Sequence, residues 1–471
     1  MGGYPAAPYT QKDLFHLTAN SPQDAHDKLI RSSLKADYTF ASGVKFRSVT
    51  GIASGETKYR ADLDGTATGI ETFYDNVGEF QFSQEFNLIS PDDQRFTWLV
   101  GAFGLWNTYT FRKPYQFDID LAGAVTPGIP AYVYSLQGRN PERSLAAFGQ
   151  LGFNITPKLK IEAGGRYTAS RSTNRVDVMQ YGTYIRDDQR VKSDNFSYKV
   201  SLGWKASPTQ YLYGFVATGF RPGGLNVPVG LGNPDAFKPE KVTSFEGGWK
   251  GSFAGSHLNL SVDGFYNNYR NFQVIVGYPD IPTFGLELNV PKTTRIYGGE
   301  AEADLRFGGF SINAGVNVLH SDLGQFYAVD SRTPPTGLPG DPILPCDPLT
   351  GPVSTHCVSL KGQEQTYAPN LTFNVGAQYE LKLGDTDTLT PRVNFGHVGA
   401  QWATLFENPA LGDRLGERNV LNAQLAWTHG GLSVTGYATN LTNQHYAGAL
   451  NSGLYFAGPP RQYGIRVLEA F

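Results

Sequence analysis

The sequence predicts an all-β protein built as an antiparallel transmembrane β-barrel, with short periplasmic turns and long extracellular loops. Three observations carry that prediction. Apolar and polar residues alternate with a period of two, short connections alternate with long ones, and the chain finishes on an apolar-faced strand. In that last stretch, QYGIRVLEAF, Tyr463, Ile465, Val467 and Phe471 share one face, while Gln462, Gly464, Arg466 and Ala470 share the other. Glu469 and Leu468 are exceptions, and near a membrane interface a carboxylate costs little. A bare apolar edge invites aggregation, so this strand is expected to close the barrel by pairing with the first strand.

Composition agrees. Of 471 residues 55 are glycine, 13% are aromatic, and the mean hydropathy is -0.31. No apolar run reaches the roughly 18 residues that suggest a transmembrane helix, whereas barrel strands alternate and never produce one. Glycine and tyrosine in this abundance suit a sheet with small residues facing a crowded lumen and rings forming interface girdles. The net charge is -3 with no basic stripe, so nucleic acid is not an expected partner. Cys346 and Cys357, the only cysteines, lie in one Pro/Gly-rich loop, which favours a loop-closing disulfide over two free thiols.

Taken in order, the chain opens with a proline-containing stretch without alternation. Residues 1–27 are expected to be the remainder of an extracellular loop, and residues 28–471 the barrel. MGGYPAAPYT has neither the basic head nor the apolar core of a signal peptide. From Leu29 onward about 17 segments alternate. In Leu371–Lys382, Leu371, Phe373, Val375, Ala377, Tyr379 and Leu381 oppose a wholly small or polar set. In Glu300–Phe307, the expected lumen-lining residues Glu300, Glu302, Asp304 and Arg306 oppose Ala301, Ala303, Leu305 and Phe307. Tight turns fall at 41–43, 90–94, 156–158, 207–210, 254–257, 308–309, 384–386 and 429–431. Longer connections fall between them at 59–78, 114–142, 174–192, 222–240, 277–292, 322–365, 404–416 and 445–459. A soluble sandwich has no reason to alternate so; an outer-membrane barrel does. With the last strand ending in the periplasm, an odd strand count starts the first strand outside, part-way round a barrel.

At YLYGFVATGFRPGGLN (Tyr211–Asn226) and KPEKVTSFEGGWK (Lys238–Lys250) the chain resembles a TonB-dependent outer-membrane receptor. SQEFNLISPDDQRFTWLVGAF (Ser83–Phe103) resembles the family's mid-barrel hairpin, IYGGEAEADLRF (Ile296–Phe307) a later strand, and YATNLTNQHYAG (Tyr437–Gly448) with the terminal YGIRVLEAF its last hairpin. The resemblance implies a bacterial outer-membrane barrel of about 22 strands, closed by an N-terminal plug that a TonB box precedes. Such a receptor imports a scarce siderophore, cofactor or other nutrient. This sequence shows no plug, no TonB box and fewer strands than the family, so a truncated barrel is expected. The TonB complex is a partner only if plug and box are supplied upstream; the other partners are outer-membrane lipid and a small-molecule ligand. A plugless passive pore is the second reading, and an outer-membrane barrel enzyme the third.

No H-E-x-x-H, G-x-S-x-G, P-loop or G-x-G-x-x-G occurs, so no catalytic residue, metal ligand or cofactor is expected. Ligand contacts are expected from aromatic and polar groups at loop bases: Phe220, Arg221 and Asn226, then Tyr278 and Phe284, then Trp402 and Phe406, then Tyr455 and Phe456. Membership of the interface girdle is the competing role for each aromatic.

Overall fold

The computed structural model describes residues 14–15, 21–62, 71–119, 132–180, 182–228, 234–278, 281–330, 346, 357–451 and 454–470. Seventeen strands form a continuous wall. They are β1 (Asp24–Thr39), β2 (Lys45–Asp62), β3 (Glu71–Ile89), β4 (Phe96–Phe111), β5 (Tyr132–Asn154) and β6 (Leu159–Thr173). Next come β7 (Arg190–Ser207), β8 (Gln210–Arg221), β9 (Glu240–Phe253), β10 (Leu258–Arg270), β11 (Thr294–Phe307) and β12 (Phe310–Asp322). The wall ends with β13 (Leu371–Tyr379), β14 (Asp387–Val398), β15 (Arg418–His429), β16 (Leu432–Thr439) and β17 (Gln462–Glu469). Each pairs antiparallel with the next.

Alternation becomes two chemically different faces because register carries it across strands. Ala301 sits opposite Val262 on one side and Val316 on the other, while Glu300 sits opposite Asp263 and Asn317. One face is therefore an apolar belt and the other a polar lumen wall. On β17, Val467 stands opposite Val434, which in turn stands opposite Trp427, and this register sets Tyr463, Ile465 and Val467 on the outward belt. The glycines answer the tyrosines on the lumen side. The Tyr213 ring lies across Gly248, where a Cβ would come within 2.6 Å of it, and Tyr437 covers Gly464 in the same way.

Two expectations are corrected. Among the described residues β17 pairs with β16 alone and β1 with β2 alone, so the terminal strand does not close the sheet against the first. Both strands run from the long-loop end toward the tight-turn end, so a direct seam would be parallel in a wall that is otherwise antiparallel. Phe471, assigned to that closing strand, lies outside the described residues. The long connections are also shorter than alternation suggests. β1 begins at Asp24, β2 runs to Asp62, and the ladder beyond β6 continues through Arg175–Gln180 and Thr183–Asp187. Above the belt neither face must be apolar, so the period-two signal fades while backbone pairing continues.

Candidate functional site

The long connections fold into ribbons of their own. Phe272–Tyr278 pairs with Ile281–Val290, Tyr327–Val329 with Cys357–Ser359, Gln401–Trp402 with Arg414–Leu415, and Ala447–Asn451 with Leu454–Ala457. Cys346 and Cys357 are joined by a disulfide beside the second of these. Single ribbons cannot bury an apolar face, so they pack on one another. One cluster joins Val274, Val290, Phe326, Leu360 and Leu405, with Phe406 against it. A second, on the lumen side of β3 and β5, joins Phe73, Phe117, Tyr134, Val176 and Val178. There burial pushes the Tyr115 hydroxyl up to about 12. A third joins Leu14, Ala403, Leu415, Ala447 and Leu450, with Tyr455 against it.

Buried polar groups fasten these clusters to the rim. The Asn226 side-chain amide donates to the Glu287 carbonyl at 2.9 Å, and the Glu287 N–H donates back to Asn226 Oδ1 at 2.8 Å. The Asn174 amide donates to Asp187 at 2.8 Å and to the Asn226 carbonyl at 3.0 Å. Arg221 Nη2 lies 3.1 Å from Glu287 Oε1. Burial nevertheless raises the Glu287 carboxyl above its ordinary range, with Arg221 opposing. In the loop after β14, Asp413 is fully buried; it accepts from the Thr404 hydroxyl at 2.6 Å and the Asn408 N–H at 2.9 Å. Asn408 also caps the short 3-10 turn Pro409–Leu411, which ends on Gly412 in the left-handed region.

The expected ligand residues do not form one platform. Phe220 shares the outward face of β8 with Leu212 and Val216, so it belongs to the membrane-facing side. Arg221 and Asn226 are committed to Glu287, and Asn226 is 8% exposed. Phe406 packs into the first cluster. The side chains of Tyr278 and Phe284 lie outside the described residues. Tyr455 packs against the third cluster, and Trp402 and Phe456 sit on the two ribbons that share it without joining it. The Tyr455 hydroxyl donates to the Gly412 carbonyl at 2.8 Å, and Phe456 is 52% exposed. Arg414, absent from the sequence expectation, lies over the Trp402 ring at 5.6 Å, and Arg418 over Tyr446 at 5.5 Å. No local signal marks Arg414, because the hairpin that pairs it with Trp402 is made by Asp413 and Gly412 from the middle of a loop.

Below the ribbons the lumen wall is polar. Glu302 and Asp304 line a recess of about 670 Å³ with Lys205 and Lys250, and Asn317 donates to Glu300 at 2.6 Å. Arg392 donates to Gln378 at 2.8 Å and to Asn313 at 2.9 Å across three strands. Among the described residues no group of His, Cys, Asp or Glu is placed to hold a metal ion.

Residues 2–441 match the family model described as TonB dependent receptor-like, beta-barrel. The chain belongs to that family. It is 25% identical over 242 residues to the pesticin receptor of Yersinia enterocolitica, covering 51% of this chain and 34% of that one. The Yersinia pestis pesticin receptor is 26% identical over the same span. The fold is similar to the ferric yersiniabactin uptake receptor FyuA from Yersinia pestis, with a TM-score of 0.75 and 18% identity over 95% of this chain and 62% of that one. It is also similar to the siderophore receptor PiuA from Acinetobacter baumannii, with a TM-score of 0.68 and 13% identity over 94% and 64%. The match thus spans about a third of the length of the curated relatives. TonB-dependent receptors are receptors and transporters of the bacterial outer membrane, which accounts for a wall that is apolar outside and polar within.

Proposed function

We propose that this chain is the β-barrel part of an outer-membrane receptor for TonB-dependent uptake of a small ligand, with a ferric siderophore as the ligand class. One observation carries the ligand assignment: cations lie over aromatic faces at the ribbons and beside them, the exposed Arg414 on Trp402 within one ribbon and the half-buried Arg418, at the start of β15, on Tyr446. A flat, anionic chelate is matched by such a pair, since the ring offers stacking and the guanidinium offers charge. The siderophore receptors among its structural relatives support the same class. Residues before β1 act as part of the extracellular surface, an assignment that Leu14 supports by packing with Leu415 and Leu450. TonB would provide the energy if a plug and TonB box are supplied upstream of the barrel. Located in the outer membrane, the receptor would carry ligand inward without chemical conversion.

The test is growth of the source bacterium under iron limitation, with and without the intact gene, on a panel of ferric siderophores. Loss of uptake of one ferric siderophore, restored by the gene and abolished again without TonB, is the expected outcome. Uptake of every siderophore at the parental rate would overturn the ligand class.

A further inference from the structure

Above its aromatic girdle the outward face of β5, β6 and β7 turns cationic. On this face Tyr167 stands opposite Phe196, and the two are 51% and 62% exposed. Four residues further toward the long-loop end, one row reads Trp106, Arg143, Arg171 and Lys192 across four adjacent strands. Two rows on, Arg139 stands opposite Arg175, with Arg190 opposite Thr173 between them.

These side chains point away from the lumen. Arg139, Arg143, Arg171, Arg175, Arg190 and Lys192 are all exposed, whereas residues of the opposite parity, such as Ser170, Asn174 and Val176, are buried. The acids on the same face are engaged: Asp188 lies 3.7 Å from Arg175, Asp177 faces Arg186 in register and takes the Tyr184 hydroxyl, and Asp194 takes the Tyr167 hydroxyl. Arg139, Arg143, Arg171, Arg190 and Lys192 form no ion pair among the described residues. Five cations are thus gathered on one outward face at the height where an aromatic girdle gives way to headgroups.

We infer that this patch binds the phosphate groups of outer-leaflet lipid. Adjacent cations can share one phosphate, and guanidinium groups meet phosphate oxygens with two parallel hydrogen bonds. The neighbouring Trp106, Tyr167 and Phe196 supply the apolar base on which the acyl chains of the same lipid rest. The inference depends on the membrane reading of the barrel and adds to it a site of defined chemistry.

The test uses the full chain refolded into vesicles that contain bis-phosphorylated lipid A or its dephosphorylated form, with the retained lipid measured by native mass spectrometry. The wild-type chain should retain the phosphorylated lipid preferentially. Arg143→Gln/Arg171→Gln/Lys192→Gln should retain at least roughly ten-fold less, in line with the contribution of each cation near an anionic surface. Arg143→Lys/Arg171→Lys keeps the charges and should retain most of the lipid; a loss as large as that of the triple change would overturn headgroup binding by charge. Equal retention of both lipids by the wild type would overturn the inference, as would full retention by the triple variant. Displacement of the lipid by millimolar inorganic phosphate would reduce the patch to a general anion site and also overturn it. Failure to insert into any vesicle would instead overturn the membrane reading, so the two outcomes are separable.

Discussion

Asn226 and Glu287 exchange two hydrogen bonds across 61 residues of chain, and together with the Gln273 and Asn289 amides, which donate to the Lys238 carbonyl at 3.0 and 2.9 Å, this reciprocal pair pins the ribbon Phe272–Val290 to the rim of the barrel. The loop after β8 and the loop after β10 therefore behave as one body. Asn174 joins them from the far side through the Asn226 carbonyl.

Asn226→Ala removes both partners of the Glu287 backbone and leaves a donor and an acceptor in a buried place. The expected cost is about 2–3 kcal/mol of local stability. Hydrogen exchange should show faster exchange throughout residues 272–290 while β12 to β16 keep their protection. Unchanged exchange in the ribbon would mean that the apolar cluster and the Gln273 and Asn289 hydrogen bonds hold it without Asn226.

Docking of the same ribbon should depend on pH. The Glu287 carboxyl is raised by burial, so the docked state holds its proton more tightly than the released state does. Docking is therefore favoured below the ordinary glutamate range and weakens as pH rises through the raised value. Glu287→Gln should flatten that dependence. Limited proteolysis of the ribbon between about pH 4 and pH 7 reads it out, and an identical pH profile in the variant would remove Glu287 as its source.

Gly248→Ala should force the Tyr213 ring away and break its hydrogen bond to Glu246, which is 3.0 Å long. Overpacking of this kind costs about 1–3 kcal/mol. The added Tyr213→Ala change should recover most of that loss, because the clash then has no second partner. Urea unfolding in detergent, run as a double-mutant cycle, checks it; additive effects would separate the two residues.

Arg414→Ala and Trp402→Ala should each weaken capture of the transported ligand by roughly ten-fold, the scale of one well-placed cation–aromatic contact. Phe220→Ala should leave capture unchanged, because Phe220 sits on the outward face. Quenching of intrinsic fluorescence by the ferric ligand measures all three, with uptake as the readout for Trp402→Ala. A large effect at Phe220 would place the ligand path elsewhere.

The sequence by itself determined the wall. A period of two fixes which residues share a face whatever the partner strand, and register then turns Glu300, Glu302 and Asp304 into one polar surface and Ile465 and Val467 into one outward one. Tight turns were legible for the same local reason, since their residues and length are set by the few that close an antiparallel pair. The cap was not legible. Asn226, Glu287, Asp413 and Arg414 acquire their roles from groups far away in the chain, and no periodicity connects Asn226 to Glu287. Nor does alternation say where a strand stops once water lies on both sides, which is why β1 begins at Asp24 and β2 reaches Asp62. For the seam, the odd strand count already set the first and last strands running the same way, and only the pairing itself was decided in three dimensions. An apolar last strand demands cover, but whether β1 can supply it depends on the direction in which both strands run.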